Sequence, residues 1–232
     1  MPEIKVSVSV LAADFTRLRD DVKKAEQAGC KLAHIDVMDG SLAPNITIGP
    51  CVIKAIRPLT TMEIDSHLMI DRPWLYLDDY IDAGSDIITV HIEAYALNLP
   101  DAEKIKDEPR AVTEIDIKKL TRDLDYIKSR GKKTAVAVNP GSTLCFKEVL
   151  DKLDMVLIMS VNPGFSGQKF KSEVLEKIKE LRKEFKGDIG IDGGINDKTA
   201  PLAREAGANV LATASYFYNA KDPKQAVLSL RG

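Results

Sequence analysis

An α/β fold, closed as one (β/α)8 barrel, is predicted by three observations. Strand-like and helix-like patterns alternate along the chain, which implies a parallel sheet. Eight such units share 232 residues, at about 29 each, within the usual range for this barrel. The rival, an open doubly wound sheet, wants a glycine fingerprint after its first strand, and Leu11-Ala-Ala-Asp-Phe15 has no glycine there. Residues 1–232 therefore read as one domain.

The elements follow in order. Residues 4–11 (IKVSVSVL) alternate and are rich in valine, a strand signal. Asp14 precedes Phe15, Leu18, Val22 and Ala25, a helical spacing that Gly29 closes. Residues 31–37 form the second strand, and 45–57 hold a loop and a short helix begun at Pro50. Residues 61–69 are the third strand, 72–83 a helix ended by Gly84, and 86–92 the fourth strand. Residues 93–115 carry Pro100, Pro109 and many charges, and read as a surface insertion.

The rhythm then resumes. Ile117, Leu120, Leu124 and Ile127 make a helical stripe before Gly131, and 134–139 is the fifth strand. A short helix at 146–150 leads to the sixth strand, 155–161. Ser172 caps a helix carrying Val174, Ile178, Leu181 and Phe185, closed by Gly187. Residues 188–192 are the seventh strand, 198–206 a helix, 209–215 the eighth strand, and 224–230 a closing helix.

Composition narrows the function classes. A formal net charge of −2 with interspersed signs offers nucleic acid no basic face. Cys30, Cys51 and Cys145 lie far apart without a C-x-x-C pair, which argues against a disulfide framework and suits a reducing cytoplasm. The start Met-Pro-Glu-Ile-Lys lacks the pattern of a signal peptide. No stretch approaches the roughly 18 apolar residues of a membrane span. A soluble, cytoplasmic protein is expected.

In this barrel, chemistry sits where strands end and βα loops begin. Alternation puts His34, Asp36 and Met38 on one face of the second strand, with Ile35 and Val37 on the other. A carboxylate there is costly unless something pairs with it. The remaining strand ends bring Ser9, His67, Met69, His91, Met159 and Asp192. Taken singly, a strand histidine or methionine is usually core filler, but their joint arrival at one rim points to a site. His91 stays a core residue, having no evident acidic partner, and Asp39 falls on the opposite face as a loop residue. Two imidazoles and two carboxylates suit one divalent ion, so His34, Asp36, His67 and Asp192 are expected around a metal. Zinc, iron, cobalt and manganese all suit these donors, and the spacing does not choose among them.

Small-residue loops complete the rim. Val161-Asn-Pro-Gly-Phe-Ser-Gly-Gln168, containing Gly164, Phe165, Ser166 and Gly167, follows the sixth strand; Gly193-Gly194 follows the seventh, and Ala214-Ser215 ends the eighth. Such loops let backbone N–H groups approach an anion, and barrels often bind phosphate after strands seven and eight. A small substrate with a phosphate at one end and a metal-bound oxygen at the other fits this layout.

These motifs resemble the ribulose-phosphate 3-epimerase family. Ser9-Val-Leu-Ala-Ala-Asp-Phe15, His34-Ile-Asp-Val-Met-Asp-Gly40 with Pro44-Asn45, Ser66-His-Leu-Met69, Val161-Asn-Pro-Gly-Phe165 with Gly167-Gln168, and Asp192-Gly-Gly194 keep the family's order. The resemblance implies inversion at C3 of a ketopentose 5-phosphate through an enediolate, interconverting D-ribulose and D-xylulose 5-phosphates. It gives Asp36 and Asp192 the roles of base and acid, exchanging with direction. Ser9 and His67 would bind substrate, and Met38, Met69 and Met159 would line the site and exclude water. The resemblance also leaves room for a homo-oligomer. Departures occur at Ser41-Leu-Ala43, Ser166 and Ala214. They keep two alternatives in view: a hexulose-phosphate (allulose 6-phosphate) 3-epimerase, and a catalytically silent sugar-phosphate-binding barrel.

Overall fold

The computed structural model describes residues 2–97, 110–165 and 167–232. Eight parallel strands close in chain order: β1 (Lys5–Ser9), β2 (Leu32–Met38), β3 (Glu63–Met69), β4 (Ile87–His91), β5 (Lys133–Val138), β6 (Met155–Met159), β7 (Asp188–Asp192) and β8 (Val210–Thr213). β8 pairs back onto β1, which makes this a (β/α)8 TIM barrel without a free sheet edge.

The strand alternation sorts side chains between two environments. Ile35, Val37, Ile64, Leu68, Ile88, Val90, Val136, Val156 and Ile189 are buried in the large core between barrel and helices. Helices α1 (Leu18–Ala28), α4 (Ile117–Ser129) and α5 (Leu175–Glu184) supply Val22 and Ala25, Leu120, Leu124 and Ile127, and Ile178 and Leu181 to the same core. Each such large side chain contributes about 1.5–3 kcal/mol on burial. The opposite parity points into the barrel. There Leu32, Ile87, Ala135, Met155 and Val210, from the early parts of their strands, form an apolar floor. Above it the interior of β2–β4 is polar: His34, Asp36, Asp65, His67, Thr89 and His91 are all buried.

The remaining helices are α2 (Pro50–Ile56), α3 (Leu77–Ala83), α6 (Ala200–Ala206), α7 (Ser215–Tyr218) and α8 (Pro223–Arg231). Several local details differ from the sequence expectation, among them the end of β1, where Val10–Ala12 forms a 3-10 turn. The short helix after β5 is a 3-10 helix, Lys147–Lys152. Ser172 does not cap; it opens a 3-10 turn, Ser172–Val174, that runs into α5. β8 stops at Thr213 because the backbone turns at Ala214 (φ −131°, ψ −100°), so Ser215 becomes the first residue of α7.

Residues 98–109 of the expected insertion, and Ser166, lie outside the described residues. The described flanks are packed: Ile92–Tyr95 forms a buried 3-10 turn, Ala96 bridges Ile115, and Arg110 is buried. Among the described residues no helix is long and apolar enough to cross a membrane.

Candidate active site

Register brings the polar residues together. β2 and β3 pair so that His34 lies beside Asp65, Asp36 beside His67, and Met38 beside Met69. Ser9 is level with His34, and Met159 with Asp192. The closed barrel then lets β2, β3 and β7 aim at one point. His34 Nε2 and His67 Nδ1 are 3.0 Å apart. Asp36 Oδ1 lies 3.3 Å from each, and Asp192 Oδ2 lies 3.7 Å and 3.9 Å from them.

This donor set fits a cation. His34 Nδ1 donates to Asp65 Oδ2 at 2.8 Å, and Thr89 Oγ1 donates to Asp65 Oδ1 at 2.6 Å. A neutral His34 then keeps its proton on Nδ1 and turns the lone pair of Nε2 toward the other three donor atoms. Four lone-pair atoms facing one another repel unless positive charge, from a proton on His34 or from a metal ion, lies among them. Burial pushes His34 down, but the carboxylates of Asp36 and Asp65 more than reverse this and hold it well above the usual imidazole range. Burial would raise Asp36, yet His34 and His67 outweigh it and hold its carboxyl well below the usual range. The donor separations match nitrogen and oxygen ligands each about 2.0–2.2 Å from a common centre. His34, Asp36, His67 and Asp192 form a group able to hold a metal ion.

Above this group opens a cavity of about 630 Å³, counting the part open to solvent. Asp36 and Asp192 stand at its base beside Ser9, Met38, Met69 and Met159. Ser9 Oγ donates to Asp36 Oδ2, the oxygen outside the donor cluster. Gly164, Phe165, Gly167, Gly193, Gly194, Ala214 and Ser215 line the wall. His67 is fully buried beneath it and is not part of that lining. At Gly193 the backbone has φ +116°, and a Cβ would lie 2.5 Å from Val161 Cγ2. At Gly194 φ is +63°, and a Cβ would press on the Phe170 backbone nitrogen at 3.0 Å. Only glycine serves both positions without strain. Across the mouth, Asn45 Nδ2 donates to the Gly164 carbonyl at 2.9 Å, tying the loop after β2 to the loop after β6.

Known proteins resemble this chain over nearly its whole length. The chain matches the profile of the "Ribulose-phosphate 3 epimerase family" over residues 5–113 and 111–218. The chain belongs to the ribulose-phosphate 3-epimerase family. It is 42% identical to the ribulose-phosphate 3-epimerase of Bacillus subtilis (strain 168) over 236 residues, covering 99% of each chain. It is 43% identical over 235 residues to the chloroplastic ribulose-5-phosphate-3-epimerase of Arabidopsis thaliana, covering 99% of this chain and 76% of that one. Among solved structures, 3-hexulose-6-phosphate synthase from Salmonella typhimurium superposes with a TM-score of 0.69 at 18% identity, covering 98% and 97% of the two chains. That likeness concerns the barrel alone.

In this family member the site also draws on residues that the strand-end pattern does not mark. Asp65 has the same strand parity as His67 but sits one layer deeper, so attention to strand ends passes over it. His91, a core residue by the strand pattern, does have an acidic partner: its Nδ1 is 2.8 Å from Glu93 Oε2. Glu93 lies in the 3-10 turn beyond β4, where strand alternation no longer says which way a side chain points. Gln168 donates to the carbonyls of Asn162 (2.7 Å) and Phe165 (2.9 Å), knitting the loop after β6. Asp39 is a loop brace, accepting from the backbone of Ser41 and of Asp71.

Proposed function

We propose that this chain interconverts D-ribulose 5-phosphate and D-xylulose 5-phosphate by inversion at C3. The observation that carries the reading is the placement of Asp36 and Asp192. Each gives one oxygen to the donor cluster, each lines the cavity, and they come from strands three apart around the barrel. Two carboxylates reaching one point from different sides suit proton removal on one face of a carbon and return on the other.

In one direction Asp36 takes the C3 proton through Oδ2, leaving an enediolate, and Asp192 delivers a proton to the opposite face. In the reverse direction the roles exchange. Each positioned acid or base contributes roughly 10²–10⁴-fold to the rate. Ser9 orients the Asp36 carboxylate through its hydrogen bond to Oδ2. His34, Asp36, His67 and Asp192 would hold a divalent ion, zinc first among the candidates; bound there, it supplies Lewis-acid stabilisation of negative charge, worth several kcal/mol. Met38, Met69 and Met159 shield the intermediate from water, which protects it from side reactions. The backbone N–H groups about Gly193, Gly194 and Ser215 receive the phosphate. Three free cysteines suit a reducing, cytoplasmic setting for such a reaction.

The test is turnover of D-ribulose 5-phosphate by the purified protein, before and after treatment with a chelator and again after zinc is restored. Activity lost to the chelator and recovered with metal is expected. No turnover with any divalent metal sinks the reading, and turnover of allulose 6-phosphate in its place would move the substrate from a pentulose to a hexulose.

A further inference from the structure

Two buried titratable residues have no part in the chemistry above, and both lead toward His67. His91 and Glu93 are each fully buried. Glu93 Oε2 faces His91 Nδ1 at 2.8 Å. Glu93 Oε1 is occupied by two other donors, the Asn139 backbone N–H at 2.8 Å and Ser142 Oγ. The Glu93 carbonyl also accepts from Arg110 Nη1 at 3.3 Å, so side chain and backbone are both held. His91 Nε2 lies 2.8 Å from His67 Nε2, with the two rings within 17° of parallel. His67 Nδ1 is then the atom that enters the donor cluster.

We infer that Glu93 and His91 are positioning residues that set the tautomer of His67. A carboxylate accepts, so His91 carries its proton on Nδ1 and leaves Nε2 bare. Bare Nε2 accepts from His67 Nε2–H, which leaves Nδ1 of His67 as a lone pair aimed at Asp36 and Asp192. Every proton in the line points toward Glu93. Reversing one link reverses the next, and a proton on His67 Nδ1 would point into the donor cluster. Asp65 does the same for His34 in a single step; for His67, whose Nδ1 faces the cluster, the partner of Nε2 is His91.

The inference rests on reading the four-donor group as a metal site, and the test separates the two. Long-range ¹⁵N spectra of the histidines, with and without zinc, should show His91 protonated at Nδ1 and bare at Nε2. His91 protonated at Nε2 in the wild-type protein overturns the inference without recourse to any variant. Glu93→Gln nearly preserves shape, but its amide cannot satisfy His91 Nδ1–H and the Asn139 N–H together. Zinc affinity, read by competition with a chromophoric chelator, should fall about 10–100-fold, with the denaturation profile confirming a folded protein. A folded Glu93→Gln that binds zinc as tightly as wild type overturns the inference. Failure of the wild-type protein to take up zinc overturns the metal reading instead, and the His91 tautomer is then decided by the zinc-free spectra.

Discussion

Gly193→Ala probes the phosphate-side wall of the cavity with a cost that can be worked from the coordinates. The residue has φ +116°, a backbone conformation costing about 1–3 kcal/mol for a residue with a Cβ. The new methyl would lie 2.5 Å and 2.8 Å from the two methyls of Val161, an overpacking worth about 1–3 kcal/mol. Together these reach about 2–6 kcal/mol against a total stability of about 5–15. The strained segment carries Gly193 and Gly194 on the cavity wall, so it relieves the clash by moving the N–H groups assigned to the phosphate. KM for D-ribulose 5-phosphate should rise more than kcat falls. Val161→Ala removes the obstructing methyls but leaves the φ strain. In urea denaturation, the double variant should recover about 1–3 kcal/mol relative to the sum of the single changes. Additivity within about 0.5 kcal/mol, or an unchanged KM in Gly193→Ala, would refute this account of the wall.

Three further outcomes are expected. Asp65→Asn leaves His34 without its ionic acceptor, and chelator competition should show zinc affinity lower by about 10–100-fold. His34 is held well above its ordinary range in the metal-free protein, so its stabilising contribution is present below about pH 6.5 and is lost as pH rises through the raised value. An ion displaces that proton, so apparent metal affinity should rise with pH, and calorimetry in buffers of different ionisation enthalpy should register proton release near neutrality; no release would contradict it. Asn45→Ala removes the 2.9 Å tie to the Gly164 carbonyl. It should loosen the mouth and raise KM several-fold, while lowering stability by no more than the roughly 0.5–1.5 kcal/mol of one neutral hydrogen bond.

Much of this site is legible in the sequence, and the reasons it stops short are physical. Alternation within β2 assigns His34, Asp36 and Met38 to one face, and closure of the barrel brings His67 and Asp192 to the same point. Asp65 obeys the same alternation, yet its importance depends on depth along the barrel, which strand periodicity does not encode. Glu93 is harder still. It looks like the first residue of a charged surface loop, and its burial depends on Asn139, Ser142 and Arg110 from distant parts of the chain. Ser215 reads as the end of a strand because valine, leucine and alanine run up to it. The turn at Ala214 that makes it start α7 is a backbone event with no compositional mark.

The central claim is that Asp36 and Asp192 move the C3 proton on opposite faces. It is tested most directly by converting D-ribulose 5-phosphate in deuterium oxide with the wild-type protein, Asp36→Asn and Asp192→Asn. Wild-type product should carry solvent deuterium at C3 of D-xylulose 5-phosphate. Each variant should be slower by about 10²–10⁴-fold. Product free of deuterium, or either variant keeping more than about a tenth of the wild-type rate, would contradict the account.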